Sequence, residues 1–427
     1  MDKNKFYKNI LIDLFKESVK SADPSVVLEK YIPKPPKGRI VVIGAGKASA
    51  RMAKVFEQIW LKRGYGKLEG IVLTRYGHGE KCKFIEIIEA SHPVPDKAGI
   101  EGTNKIINLV SNLERKDLLV FLVSGGGSSL MVAPKENINL KEKQNITDSL
   151  LRSGASISEI NCVRKKLSRV KGGNLAALAY PAKILTLAIS DVPGDDPSVI
   201  ASGPTFPDSN NSQEALEVIK RYKIVCSNNV ISLLTSKDNL GRSNKIFSNS
   251  SYKIIASSQN SLKSSANFIK SKGFKPIILS DSMEGDADTV GIIHGAIAKQ
   301  IIKYGSPFKP PLCILSGGET TVKVNNLKGR GGRNTQFLLS LAIHLNSEEN
   351  IYSIACDTDG IDGVESNAGA IIFPDSLKRG LKIGIHARDY LNRNDAYTFF
   401  HKLKDLVFTG PTKTNVNDFR ALIITKN

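Results

Sequence analysis

The chain has 427 residues, more than one ordinary hydrophobic core uses, so two domains are expected. Apolar residues make up 41% and charged residues 24%, the balance of a globular protein in water, and no apolar run reaches the ~18 residues of a membrane span. The net charge of +19 would suit a nucleic acid, but the lysines are spread along the whole chain and the densest basic stretch, VRKKLSRVKGG (163–173), has no interleaved aromatics to stack bases, which favours a small anionic partner instead.

The first twenty residues are charged throughout and have no apolar core of the kind a secretory signal carries, so a cytoplasmic protein is expected. Phe6, Ile10, Leu14 and Val19 recur at helical spacing, with Leu11 and Phe15 widening the stripe. The prolines of KYIPKPPKG end that helix. RIVVIGAG then reads as a buried strand, KASARMAKVFEQIW as a helix, GIVLT as a strand, AGIEGTNKIINLVSNL as a helix and LLVFLV as a strand. Asn139 followed by Glu142 has the spacing of a capping box for the helix LKEKQNITDSLLRSG. A helix over SEINCVRKKLSRVKGG and a strand over KILTLAIS follow. Periodicity dissolves across 234–251, where the domain boundary is expected: residues 1–240 form one domain and 241–427 the other. Alternation then resumes with strands YKIIAS, KPIILSD, PLCILSG, YSIAC and LIIT, and helices over LKSSANFIKSKG, DTVGIIHGAIAKQII and TQFLLSLAIHL. Short β-branched runs alternating with helices describe α/β sheets covered on both faces.

In such sheets ligands sit beyond the carboxyl ends of the strands, and the unusual residues gather there. Gly44 and Gly46 match the first two positions of a dinucleotide fingerprint, with Ser49 in the third. The next strand ends in Thr74-Arg75, however, with no acid for a ribose hydroxyl. Lys47 lies at the expected helix start, where a cation opposes the helix dipole unless an anion lies beside it. The loop Ser124-Gly125-Gly126-Gly127-Ser128-Ser129 is either a tight turn or an anion cradle, and it lacks the Lys-Ser/Thr of a P-loop. Asp191, Asp195 and Asp196 follow another strand, as a solvated turn or as carboxylates for Mg²⁺. The second half adds Gly317-Gly318-Glu319, Arg330 and Arg333 among glycines, and Asp357, Asp359 and Asp362 in a pattern that fails the EF-hand spacing. The five cysteines are scattered without a C-x-x-C pair, and the six histidines without metal-ligand spacing, which argues against a disulfide frame or a zinc site. Glycine turns, carboxylates and lone cations at strand ends are the equipment of phosphoryl transfer.

The strings GAGKAS, SHPVPD, VSGGGSS, VRKKLSRVKGG, SDVPGDDPSVIASGPTFPD, SDSMEGDA, SGGETTV, GRGGRN, DTDGIDG and TGPTKTNVNDFR occur in the order found in one family, over nearly the whole chain. In these the sequence resembles the class II glycerate kinases (glycerate 2-kinases, once labelled hydroxypyruvate reductases), which carry a C-terminal MOFRL domain. The resemblance implies two three-layer α/β/α domains, the first Rossmann-like with a mainly parallel sheet, the second with a mixed sheet, and an active site between them. It implies phosphorylation of D-glycerate by ATP with Mg²⁺, at the 2-hydroxyl, and neither a nucleic-acid nor a membrane partner; self-association is left open.

Matching motifs assign Lys47 and Arg333 as catalytic cations, and Asp191 as base or Mg²⁺ ligand with Asp357 and Asp359 beside it. Gly44, Gly46, Ser124, Gly125, Gly126, Gly127, Ser128, Arg164, Gly317, Gly318, Glu319 and Asn334 are assigned to substrate and phosphate binding. The chain departs from the family at Thr335-Gln336, where Gln-Glu or a small residue and Glu is usual, at Lys166, where His is common, and at Asn174, where a longer polar residue is usual. Two other classes compete. An NAD(P)H-dependent hydroxypyruvate reductase would use Gly44 and Gly46, with Arg75 for a 2′-phosphate. A non-catalytic sensor of nucleotides or sugar acids would not need both Lys47 and Arg333.

Overall fold

The structure is a computed structural model that describes residues 2–236, 244–326 and 328–426; the expected boundary at 240/241 lies outside the described residues. The chain divides into two compact units, residues 27–190 with 195–255, and residues 1–26 with 191–194 and 256–427. Residues 1–26, which sequence reading groups with the first domain, therefore belong to the C-terminal unit.

The first unit is built on β1 (Ile40–Ala45), β2 (Glu69–Arg75), β3 (Ile85–Ala90), β4 (Leu118–Val123), β5 (Lys183–Ile189) and β6 (Ser250–Ala256), in the order β3-β2-β1-β4-β5-β6. The pairs among β1 to β5 are all parallel. Every residue of β1 is buried, the continuous apolar run of a strand covered on both faces. The register aligns Ala45 with Leu73 and Val123, and Val123 with Ala188, so the loops after β1, β2, β4 and β5 emerge along one edge. Strand β3, which the alternation reading passes over, is anchored from a helix: buried Glu57 accepts from the amides of Lys83, Phe84 and Ile85 at 2.5–3.3 Å. Two helices with no sequence-based assignment, Ser212–Arg221 and Asn228–Thr235, pack with Leu140–Arg152 and Ile157–Lys166 in a satellite core of Ile146, Leu150, Val163, Leu216 and Val230.

The C-terminal unit carries β7 (Lys275–Ser280), β8 (Gly285–Asp286), β9 (Leu312–Gly318), β10 (Thr320–Thr321), β11 (Ile351–Asp357), β12 (Gly369–Ile372), β13 (Leu406–Val407) and β14 (Asp418–Ile424). Its main sheet runs β13-β12-β11-β14-β9-β7 and is mixed: β14 is antiparallel to β9 and β11, whereas β7 and β9 are parallel. The helix Lys3–Ser21 covers one face, where Ile10, Leu11, Leu14 and Phe15 join Leu262, Ile269, Leu315, Ile354 and Phe419. The helices Ala287–Tyr304 and Arg333–Leu345 pack in the core on the other face. Among the described residues no helix is long and apolar enough to cross a membrane, and all five cysteines are free thiols.

Candidate active site

In the first unit the loops after β1 and β4 pack against each other. The amide of Gly46 donates to Leu73 O at 3.1 Å and that of Lys47 to Gly125 O at 2.8 Å. The amide of Ala48 donates to Ser124 Oγ at 3.0 Å, which also meets Ser49 Oγ at 3.2 Å. A Cβ on Gly46, at φ +146°, would fall 2.2 Å from Ser124 Oγ, so glycine here serves the close approach of two loops. The helix begins at Ser49, with Ala48 as its N-cap, so Lys47 stands before the helix and not on its first turn. Three amides that would cradle a pyrophosphate in a dinucleotide site are thus bonded within the protein.

Ser128 starts a different cluster. Its Oγ accepts from Arg164 Nη2 at 2.7 Å and from Lys171 Nζ at 3.0 Å, and lies 2.8 Å from Ser202 Oγ. Lys171 Nζ also donates to Ser128 O at 2.6 Å. Lys143 is buried nearby, with Nζ 3.4 Å from Leu167 O. Burial, the Arg164 charge and the Lys143 charge push Lys171 well below the usual lysine range. Burial and Arg164 bring Lys143 down to about 7. Arg164 is among the assigned binding residues; Lys143 and Lys171 are not. The signal for Lys143 was present: it occupies the same helix face as Ile146 and Leu150, where an apolar residue belongs.

The C-terminal unit gathers carboxylates. Because β14 is antiparallel to its neighbours, its first residue, Asp418, stands beside the last residues of β9 and β11. Arg333 opens the following helix and bridges three acids: Nε to Asp418 at 2.7 Å, Nη1 to Glu319 at 2.6 Å and Nη2 to Asp357 at 2.8 Å. Burial opposes its charge, but these carboxylates outweigh burial and keep the guanidinium firmly protonated. Buried Arg420 donates to Asp418 Oδ2 at 2.5 Å. Burial and the Asp359 carboxylate push Asp357 well above the usual acid range, with Arg333 opposing.

Asp362 accepts from the amides of Asn334 and Thr335, each at 2.9 Å, and from Thr335 Oγ1 at 2.8 Å. The helix N-terminus is thus capped by the protein's own carboxylate, and Thr335, one of the family departures, is part of that cap. Asn334 is fully buried and bonds Asp418 at 2.8 Å, so it supports the acids from within. Gly318, at φ +113°, lets the loop after β9 approach the backbone of Met283, where a Cβ would come within 2.2 Å. Asp418, the hub of this network, had no assigned role in the sequence.

The expected aspartate trio after β5 is divided between the two units. Asp191 belongs to the C-terminal unit, where its Oδ2 accepts from Asn415 Nδ2 at 3.3 Å and its carbonyl accepts from Asn417 Nδ2. Asp195 and Asp196 belong to the first unit, and Asp196 closes a turn on the amide of Ser198. Among the described residues no group of three or more His, Cys, Asp or Glu side chains is arranged to hold a metal, so Asp191, Asp357 and Asp359 form no three-ligand cage.

Comparison with known proteins finds two families along the chain. Residues 10–235 match a family described as a domain of unknown function (DUF4147), and residues 312–418 match the MOFRL family. An Agrobacterium vitis protein carrying only a provisional name, hydroxypyruvate reductase, is 46% identical over 98% of this chain and 94% of its own length. The D-glycerate 2-kinase of Thermotoga maritima is 39% identical over 96% of this chain and 97% of its own. The crystal structure of a glycerate kinase from Thermotoga maritima superposes with a TM-score of 0.90 at 38% identity, covering 99% of this chain and 100% of that one. Near-complete coverage in sequence and in structure means that this chain belongs to the glycerate 2-kinase family with a MOFRL domain.

Proposed function

We propose that the protein transfers the γ-phosphoryl group of ATP to the 2-hydroxyl of D-glycerate, giving 2-phosphoglycerate and ADP. The observation that carries this reading is the segregation of charge: one unit buries Lys143 and Lys171 beside Arg164, and the other gathers Glu319, Asp357 and Asp418 around Arg333. An anionic acid and a metal-bound triphosphate need both kinds of surface, and hydride transfer needs no set of carboxylates.

The bonded amides of Gly46, Lys47 and Ala48, together with the missing ribose acid after β2, further disfavour the reductase. Phosphates would instead meet side chains, Lys47 foremost, beside the Ser124–Ser128 loop. Mg²⁺ fits Asp357 and Asp359, two buried oxygen ligands whose mutual repulsion a cation relieves, since this ion is commonly held by one or two carboxylates plus substrate phosphates. When bound, it would neutralise the nucleotide's phosphate oxygens. Asp191 holds the proton of the reacting hydroxyl. Arg333 faces the transferring group after exchanging one carboxylate, and Glu319, the most exposed of its three partners, is the one to yield.

The test mixes purified protein, Mg-ATP and D-glycerate, follows ADP release and identifies the phosphoglycerate isomer by NMR. Oxidation of NAD(P)H by hydroxypyruvate without ADP release would overturn the reading.

A further inference from the structure

The first unit contains a cavity of about 360 Å³ whose lining combines Ser128, Lys143, Arg164 and Lys171 with apolar side chains such as Val94 and Val132 and a single carboxylate, Asp148. Three cations converge on it. Lys171 Nζ and Arg164 Nη2 share one oxygen, Ser128 Oγ, which spends both lone pairs on them and so donates its own proton to Ser202. Among the described residues no carboxylate is in ion-pair range of Lys143, Arg164 or Lys171; their partners are Leu167 O, the Asn161 side chain and Ser128. Burying cations without acids is costly, and grouping them costs more. A single lysine tied to a carbonyl is ordinary scaffolding; three basic side chains grouped around one cavity that offers a single carboxylate, Asp148, suit the entry of a further negative group. The cavity also holds roughly ten water volumes, more than a bare oxyanion fills, and part of its lining is apolar.

We propose that this pocket is a recognition subsite for the terminal oxyanion of a small organic acid, its carboxylate or its phosphate, held by Lys143, Arg164, Lys171 and the Ser128 loop while the apolar lining residues receive the carbon skeleton. The identity of the acid as glycerate or its phosphate rests on the kinase reading; the anion site itself does not. The lowered affinity of Lys143 and Lys171 for protons in the unfilled pocket agrees with it, since an entering anion restores their charge.

The test is isothermal titration of the full chain with D-glycerate and, separately, with inorganic phosphate, for wild type, Lys143→Met and Arg164→Gln, alongside melting curves. Binding of one or both probes should weaken tenfold or more in each variant, while Lys143→Met melts no lower than wild type, a pairing that a purely structural lysine would not produce. Loss for D-glycerate alone identifies the carboxylate as the held group, and loss for phosphate alone the phosphate. Unchanged binding in both variants, or no binding of either probe to wild type, overturns the proposal. Failure of the kinase reading is separate: wild type that releases no ADP but loses anion binding on substitution keeps this site, whereas an active enzyme whose variants keep the wild-type KM for D-glycerate refutes it.

Discussion

Lys47 and Lys143 show how differently two lysines can be written into a sequence. Lys47 stands out because glycines and small residues surround it at a strand end, the place where α/β folds present ligand groups. In the proposed reading it is a pre-aimed cation for phosphate and hard to replace: Lys47→Ala is expected to lower kcat at least about a hundredfold with an unchanged melting temperature. Near-normal turnover in the ADP-release assay would reduce it to surface charge. Lys143 hides in the apolar stripe of its helix, and only the buried charge of Arg164 beside it gives it meaning. Its proton affinity falls to about 7 in the folded protein, against an unfolded value near 10.4. Below pH 7 the lysine is charged in both states and the folded state bears the full cost. As pH rises from 7 towards 10.4 the unfolded chain holds the extra proton, and the penalty fades. Lys143→Met should therefore be more stable than wild type at pH 6 to 7, by up to roughly 4 kcal/mol, and the gain should vanish near pH 10.5 in denaturant titrations without ligand. A gain that grew with pH would contradict the assignment.

Elements were legible where the periodicity was long or the apolar run continuous. The strands β1, β4 and β9 are fully or nearly fully buried, β5 is buried over most of its length, and all four could be read from their apolar runs. What escaped was held by contacts distant in sequence. The edge strand β3 depends on Glu57, 28 residues before its first residue, to accept three amides at its entry. Glu57→Ala leaves those amides without their acceptor in a largely buried place and should cost about 2–4 kcal/mol in denaturant unfolding. Glu57→Gln, which retains an acceptor oxygen, should recover part of the loss, and equal loss in both would locate the effect elsewhere. The expected capping box at Asn139 is only half formed. Asn139 accepts from the amide of Glu142 at 2.8 Å, but the Glu142 carboxylate accepts from the amide of Ser227. The reciprocal box forms instead at Ser156 and Glu159. Short-range spacing could not foresee that competition. The carboxylate hub at Asp418 escaped for a related reason: only the antiparallel placement of β14 brings its first residue to the ends of β9 and β11.

At the scale of the whole chain, the least expected feature is that the C-terminal unit draws on both ends of the sequence. The helix Lys3–Ser21 is capped by Asp2 and buries Ile10, Leu11, Leu14 and Phe15 against residues more than two hundred positions away. Its amphipathic stripe was readable; what the stripe faces was not, because a hydrophobic face specifies burial and not a partner. Ser261 Oγ donates to Ser18 O at 3.0 Å and Thr414 Oγ1 to Ala22 O at 2.8 Å, so polar bonds fix the docking that apolar area drives. Burying four large side chains is worth roughly 1.5–3 kcal/mol each before the cost of ordering the helix. A chain lacking residues 1–23 should consequently retain the first unit, expose the apolar face around Leu262, Leu315 and Phe419, and bind the dye ANS strongly. Its C-terminal unit should lose on the order of 5 kcal/mol. A synthetic peptide spanning residues 2–22, added in excess, should lower the dye signal and raise the melting temperature as mass action requires. If the shortened chain melts like the full one and binds no dye, the helix is an ornament on the sheet and not a part of its core.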